Sequence, residues 1–123
     1  MTRFLLDTSV VLRLLETGDP QHTAVRAAVD RYVAPGRAPC PVPQVLVEFW
    51  VVATRPRQAN GLGWDPTAAR AADDGLVSLF PMLPDVPEAF PRWLSLVSEG
   101  SVCGKRAHDV RLAAAALSNG VGE

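Results

Sequence analysis

Three acidic residues stand where a carboxylate could do chemistry. Asp7 directly follows the apolar segment Phe4 to Leu6, at a point where a strand would pass into a helix, and such positions favour anions and metal sites. Glu48 interrupts an otherwise apolar helix, where an unpaired charge is costly to bury. Asp109 opens an alanine-rich helix. The remaining acids follow the pattern of caps, turns and solvated helix faces.

Carboxylates that converge on one place repel each other unless a cation lies between them. Hard oxygen ligands suit Mg²⁺ or Mn²⁺, and such an ion can activate water and stabilise a phosphodiester under attack. Convergence of Asp7, Glu48 and Asp109 would therefore make them both metal ligands and catalytic residues, with RNA hydrolysis as the expected chemistry.

Each of these acids also has a structural interpretation. Asp7 could be a helix N-cap, and Asp109 could be a first-turn acid that complements the helix dipole. Glu48 could pair with Arg55 or with another arginine. The sequence alone leaves both kinds of interpretation open for each residue.

The elements that must position these acids are marked by prolines and glycines. Strand and helix patterns alternate along the chain, which favours an α/β fold with a parallel sheet and ligands at the carboxyl ends of its strands. Thr8 and Ser9 are expected to cap the first helix, and Asp19 and Pro20 to open the second. The expected strands are 3–6, 38–42 and one within 76–83; the expected helices are 10–15, 20–33, 44–54, 66–75, one ending near 100, and 107–118.

Composition limits the class of protein. A chain of 123 residues, 48% apolar, suits a single domain over 1–123. No apolar run approaches a membrane span, and the N-terminus does not resemble a secretory signal, so we expect no membrane association and a cytoplasmic location. The net charge of −1 excludes a globally basic nucleic-acid binder. Cys40 and Cys103 lack the spacing of a zinc site.

Four segments resemble PIN-domain proteins, specifically VapC-like toxins, in order and spacing. The resemblance covers most of the chain and implies a three-layer α/β/α domain with Mg²⁺-dependent endoribonuclease activity. It also implies Asp7 and Asp109 as principal metal ligands, Glu48 as a further ligand or positioner of the attacking water, a cognate antitoxin, and a homodimer. The segments are Phe4 to Val11, Pro43 to Trp50 with Thr54 to Pro56, Asn60 to Gly63, and Gly104 to Ala114.

The sequence departs from the family pattern at its end. PIN domains continue after the helix of Asp109 with a strand and a further acid, whereas this sequence stops at Glu123. We therefore expect a sheet that lacks its C-terminal strand or strands, and a first strand left as an exposed edge. Such an edge invites pairing with another chain, and its lack of cover predicts association or reduced stability.

Four residues could bind RNA near the carboxylates. Lys105, Arg106 and Arg111 flank Asp109 and could contact phosphates, although basic residues at this spacing are also typical of a solvated helix face. Ser9 could reach a metal-bound water or simply cap the helix.

Two other functions compete with the nuclease interpretation. A shortened PIN-like protein could bind an antitoxin or a dimer partner with weakened or absent turnover. A phosphotransferase of the haloacid-dehalogenase type also opens with a strand-end Asp, but it needs a second Asp two residues later, where this chain has Ser9.

Overall fold

The computed structural model describes residues 3–121, which form two short strands and six α-helices. A single 3₁₀ turn, Arg57–Ala59, follows the third helix. The elements in chain order are β1 (Arg3–Leu5), α1 (Thr8–Leu15), α2 (His22–Val33), β2 (Ala38–Cys40), α3 (Pro43–Thr54), α4 (Pro66–Leu79), α5 (Ala89–Glu99) and α6 (Arg106–Ser118).

The two strands pair in parallel, as the alternation of strand and helix patterns predicts. Phe4 lies opposite Pro39 and Leu5 opposite Cys40, and the Leu6 amide continues the pairing by donating to the Cys40 carbonyl at 3.2 Å. The parallel arrangement places the carboxyl ends of both strands at the same edge. Asp7 and the start of α3 consequently lie at that edge.

The prediction of a third strand within 76–83 is wrong. Helix α4 continues through Gly75 to Leu79, because Ala69 and Leu76 are buried on one helix face while Gly75 lies on the exposed side, where it costs only about 1 kcal/mol. One backbone hydrogen bond does join this segment to the residue that follows β2. The amide of the buried Leu83 donates to the carbonyl of Pro41 at 2.8 Å.

Two predicted helix starts also need correction. Asp7, not Thr8 or Ser9, caps α1, and Thr8 is the first helical residue. Helix α2 begins at His22 and not at Pro20. The Asp19 carboxylate accepts from the Gln21 amide at 2.7 Å, and the resulting turn takes the place of the expected first helical residues.

Helix α3 supplies the centre of the core. Val45, Phe49 and Ala53 are fully buried along one of its faces, and the Phe49 ring packs edge-on against Trp64 with centroids 5.8 Å apart. The α1 helix contacts both α2 and α3, while α5 and α6 pack extensively on each other. Helix α1 is thereby packed on α3, and the Gln44 side chain connects α3 with α6 by donating to the His108 carbonyl at 3.3 Å.

Strand β1 has one strand neighbour, β2, among the residues that the structure describes. The end of α6 lies beside it, since the Arg3 guanidinium donates to the Asn119 carbonyl and Val121 is buried. Association through this edge stays a prediction. Within residues 3–121, none of the helices combines the length and apolar character that crossing a membrane requires.

Candidate active site

One cleft of about 630 Å³ is lined by all three predicted acids, Asp7, Glu48 and Asp109. They reach it from the N-terminus of α1, the middle of α3 and the first turn of α6. The rest of the wall consists of the hydroxyl residues Thr8 and Ser9 and of apolar side chains, among them Leu5 and the buried Leu112. The fold therefore brings together three carboxylates that are distant in the sequence.

Asp7 combines its two possible roles. It is the N-cap of α1, and its Oδ1 accepts from the Val10 amide at 2.9 Å. A carboxylate has a second oxygen and further lone pairs after one such bond. Because Asp7 is exposed and lines the cleft, the capping bond fixes its carboxylate without using all of its capacity to bind a cation.

Glu48 is half-buried and held by two uncharged donors. The Thr8 hydroxyl donates to Oε2 at 2.5 Å, and the Gln44 amide nitrogen donates to Oε1 at 2.8 Å. The alternative pairing with Arg55 is wrong, since that guanidinium points to the Asn60 carbonyl at 3.4 Å. The charge of Glu48 is thus oriented but not neutralised by its protein neighbours.

Asp109 lies in the first turn of α6 and is exposed to the cleft. The first turn of a helix stabilises a negative charge, so its structural interpretation also holds. The two ion pairs found among the described residues, Arg26 with Asp30 and Arg70 with Asp74, lie elsewhere. The cleft therefore holds three carboxylates that no lysine or arginine of residues 3–121 neutralises.

This donor set fits a hard divalent cation, with one correction to the expected geometry. In the described part of the chain, no three Asp, Glu, His or Cys side chains are close enough to form a ready-made metal cage. Asp7, Glu48 and Asp109 therefore line one cleft without converging as tightly as a preformed metal cage requires. Mg²⁺ tolerates this arrangement, since it usually keeps several waters and binds through one or two carboxylates.

The predicted RNA-binding residues lie in different places. Ser9 lines the cleft beside Asp7. Lys105 and Arg106 are exposed at the start of α6 and do not line it. Arg111 lines a neighbouring cavity on another face of α6.

Two residues of the site were missed by sequence reasoning. Gln44 precedes Glu48 by one helical turn, a spacing at which side chains meet, so its contact was detectable from the sequence. Thr8 was assigned to capping alone, and its contact with Glu48 joins α1 to α3. No local pattern could show that contact, because it depends on how the two helices pack.

Asp73 and Cys40, which lie outside the cleft, have raised pKa values. Burial, with a smaller contribution from the neighbouring Asp74 charge, raises the pKa of Asp73 above its ordinary value. Its Oδ1 is buried without a hydrogen-bond partner, so Asp73 departs from the solvated position expected of the remaining helix acids. Burial also raises the pKa of the Cys40 thiol, although the charge of Arg3 opposes this. The free thiol of Cys103 is exposed.

Comparison with known proteins identifies the class. The PIN-domain family model matches residues 4–122, so the chain belongs to the PIN-domain family. Among solved structures, the fold is similar to that of VapC20 from Mycobacterium tuberculosis, described as a sarcin-ricin loop cleaving toxin. That match has a TM-score of 0.66 and 19% identity, and it covers 98% of this chain and 85% of the other. No curated protein matched the sequence.

The predicted resemblance to PIN domains is therefore confirmed, and with it the α/β fold. At this level of identity the structural match concerns the fold. Activity and residue roles depend on the cleft itself.

Proposed function

We propose that this protein is a metal-dependent endoribonuclease and the toxin of a toxin–antitoxin pair. The observation that carries the proposal is the single cleft that Asp7, Glu48 and Asp109 all line without an ion pair to a lysine or arginine of the described residues. Membership of the PIN family and a fold like that of a VapC toxin support the same conclusion.

The chain's residues divide into holding and positioning roles. Asp7 and Asp109 would hold Mg²⁺ or Mn²⁺, with Glu48 as a further ligand or as the acceptor that orients the attacking water. When bound, the ion would lower the pKa of water and stabilise negative charge on the phosphodiester. Thr8 donates to one oxygen of the Glu48 carboxylate and Gln44 to the other. Ser9, which lines the same cleft, would contact a phosphate or a water.

Single-stranded or looped RNA is the proposed substrate class. Lys105 and Arg106, exposed at the start of the helix that carries Asp109, would supply the phosphate contacts that a net charge of −1 does not supply globally.

We also propose a cytoplasmic location, a cognate antitoxin and a homodimer. Co-purification with the product of the neighbouring gene and a solution mass would test the two partners.

The test is RNA cleavage with Mg²⁺ or Mn²⁺ and with a chelator. We expect cleavage only with metal, and a loss of about 100-fold or more for Asp7→Asn, which corresponds to about 3 kcal/mol of transition-state stabilisation. Asp65→Asn is the matched control, because Asp65 caps α4 through the same bond, to the Ala68 amide at 2.9 Å. Cleavage that survives chelation or Asp7→Asn would contradict the proposal.

A second candidate is a PIN-like binding module with weak or no turnover. The observation that favours it is the absence, within residues 3–121, of a preformed cage of three ligands. A folded protein that captures its partner but cleaves no RNA with either metal would support this function instead.

A further inference from the structure

A second cavity, of about 560 Å³, adjoins the acidic cleft and has a different chemical character. We call it the α5–α6 pocket. Its volume lies within the range typical of small-ligand sites. The residues that define it for this purpose are Gln44, Asp85, Phe90, Trp93, His108 and Arg111.

One wall of the α5–α6 pocket is a rigid aromatic surface. The rings of Phe90 and Trp93 stack with centroids 5.7 Å apart and planes 29° apart. The Trp93 indole donates to the Ala107 carbonyl at 2.8 Å, which fixes the ring against α6. Phe90 is 65% exposed, so its ring is accessible to a ligand. Flat rings of this kind are the surfaces on which single-stranded RNA bases stack.

Two polar side chains of the pocket, Gln44 and Asp85, favour a ligand that presents N–H groups. Both partners of the Gln44 amide nitrogen are acceptors, Glu48 Oε1 at 2.8 Å and the His108 carbonyl at 3.3 Å. The group that Gln44 can still offer a ligand is its amide oxygen, an acceptor. The Asp85 carboxylate also only accepts. Adenine, cytosine and guanine carry an exocyclic amino group that suits such acceptors, whereas uracil has no amino group and offers a single N–H, at N3, between two carbonyls.

Gln44 connects this pocket to the acidic cleft, because the same amide nitrogen bonds Glu48 on one side and the backbone of His108 on the other. His108 is followed directly by Asp109. The α5–α6 pocket also contains the Arg111 side chain, which is suited to an RNA phosphate. A nucleotide with its base in the pocket would thus have its backbone next to the three carboxylates.

We propose that the α5–α6 pocket binds one unpaired RNA base beside the phosphodiester that is cut, and that it prefers bases with an exocyclic amino group. This inference rests on the proposed function for the position of the cut. The base is stacked on Phe90 and Trp93, and its amino edge is bound by Asp85 and the Gln44 oxygen. The pocket therefore selects the sequence of the substrate, while the carboxylates act on its backbone.

The test measures binding, so that it does not depend on cleavage. Labelled single-stranded oligoadenylate, oligocytidylate and oligouridylate are titrated with the full chain in a chelator, and fluorescence anisotropy is recorded. We expect Phe90→Ala to weaken binding of the adenine and cytosine polymers about tenfold. Leu94→Ala is the matched control, because Leu94 is 50% exposed on the same helix and does not line the pocket, and it should leave binding unchanged.

Asp85→Asn tests the base preference. The wild-type chain should bind oligouridylate least, and this variant should reduce the difference between oligocytidylate and oligouridylate. Equal affinity for all three polymers, or no effect of Phe90→Ala, would overturn the proposal. A Phe90→Ala variant that binds RNA normally but no longer binds a protein partner would also overturn the proposal. RNA binding with the expected preference but without metal-dependent cleavage would retain the pocket and contradict the nuclease function.

Discussion

At the scale of single residues, Glu48 shows how this site keeps a charge without pairing it. Its two oxygens accept from Thr8 and Gln44, so the carboxylate is oriented by neutral groups. Hydrogen bonds from neutral donors of this kind orient ligands in metal sites, and their loss commonly reduces metal affinity or activity. Thr8 therefore acts as a positioning residue for Glu48.

Thr8→Val removes the donor but keeps the branched shape, and we expect metal-dependent RNA cleavage to fall about tenfold. Thr8→Ser retains the hydroxyl and should keep most of the activity. The measurement is the initial rate of cleavage at saturating metal, with circular dichroism to show that each variant is folded. Equal rates for Thr8→Val and Thr8→Ser would show that the contact has no part in the reaction.

At the scale of elements, the segment after α3 is fixed by close backbone contacts. The Gly61 amide donates to the Pro56 carbonyl at 3.0 Å, and the Trp64 amide donates to the Ala53 carbonyl at 2.8 Å. These bonds place Trp64 against Phe49 in the core. A side chain at Gly61 has no room, because its Cβ would lie 1.9 Å from the Arg55 carbonyl oxygen.

We therefore expect Gly61→Ala to lower the free energy of unfolding by about 2–3 kcal/mol, the cost typical of forcing a methyl group into a packed site. Gly18→Ala is the matched control, since an added methyl group there would meet nothing within 4 Å beyond its chain neighbours. Urea denaturation measures both. A Gly61→Ala variant as stable as Gly18→Ala would show that the segment can move away from α3 at little cost.

The sequence predicts most of these elements, and its errors have physical causes. The start of α3 at Pro43, its end before Pro56 and the end of α6 before Gly120 follow from the sequence, because proline and glycine act locally. The third strand was mispredicted because a short apolar run suits either a strand or a buried helix turn. Here the apolar face of α4 continues through Leu76, and tertiary packing decided in favour of the helix.

For the candidate site, too, the sequence predicts what depends on local pattern and misses what depends on packing. The sequence singles out Asp7, Glu48 and Asp109 because each is a carboxylate in apolar surroundings or at a helix start. It cannot predict the contact between Thr8 and Glu48, or the α5–α6 pocket beside them, since both depend on how helices from different parts of the chain pack.

At the scale of the whole molecule, the cleft exists only because the fold is formed. Its carboxylates come from α1, α3 and α6, and α3 is held in the core by residues such as Phe49, which is fully buried. Unlike a binding motif within one segment, this arrangement disperses when the chain unfolds. Metal binding should therefore stabilise the folded state.

The most direct test of the central claim is Mn²⁺ binding, measured by electron paramagnetic resonance without RNA. The folded chain should bind one ion, and Asp7→Asn and Asp109→Asn should each weaken binding about tenfold or more. Two controls, the cap variant Asp65→Asn and the urea-unfolded chain, distinguish binding at this site from nonspecific attraction of Mn²⁺ to acidic side chains. The account predicts normal binding by Asp65→Asn and loss of binding on unfolding. Equal Mn²⁺ affinity of the wild type, Asp7→Asn and Asp109→Asn would contradict it.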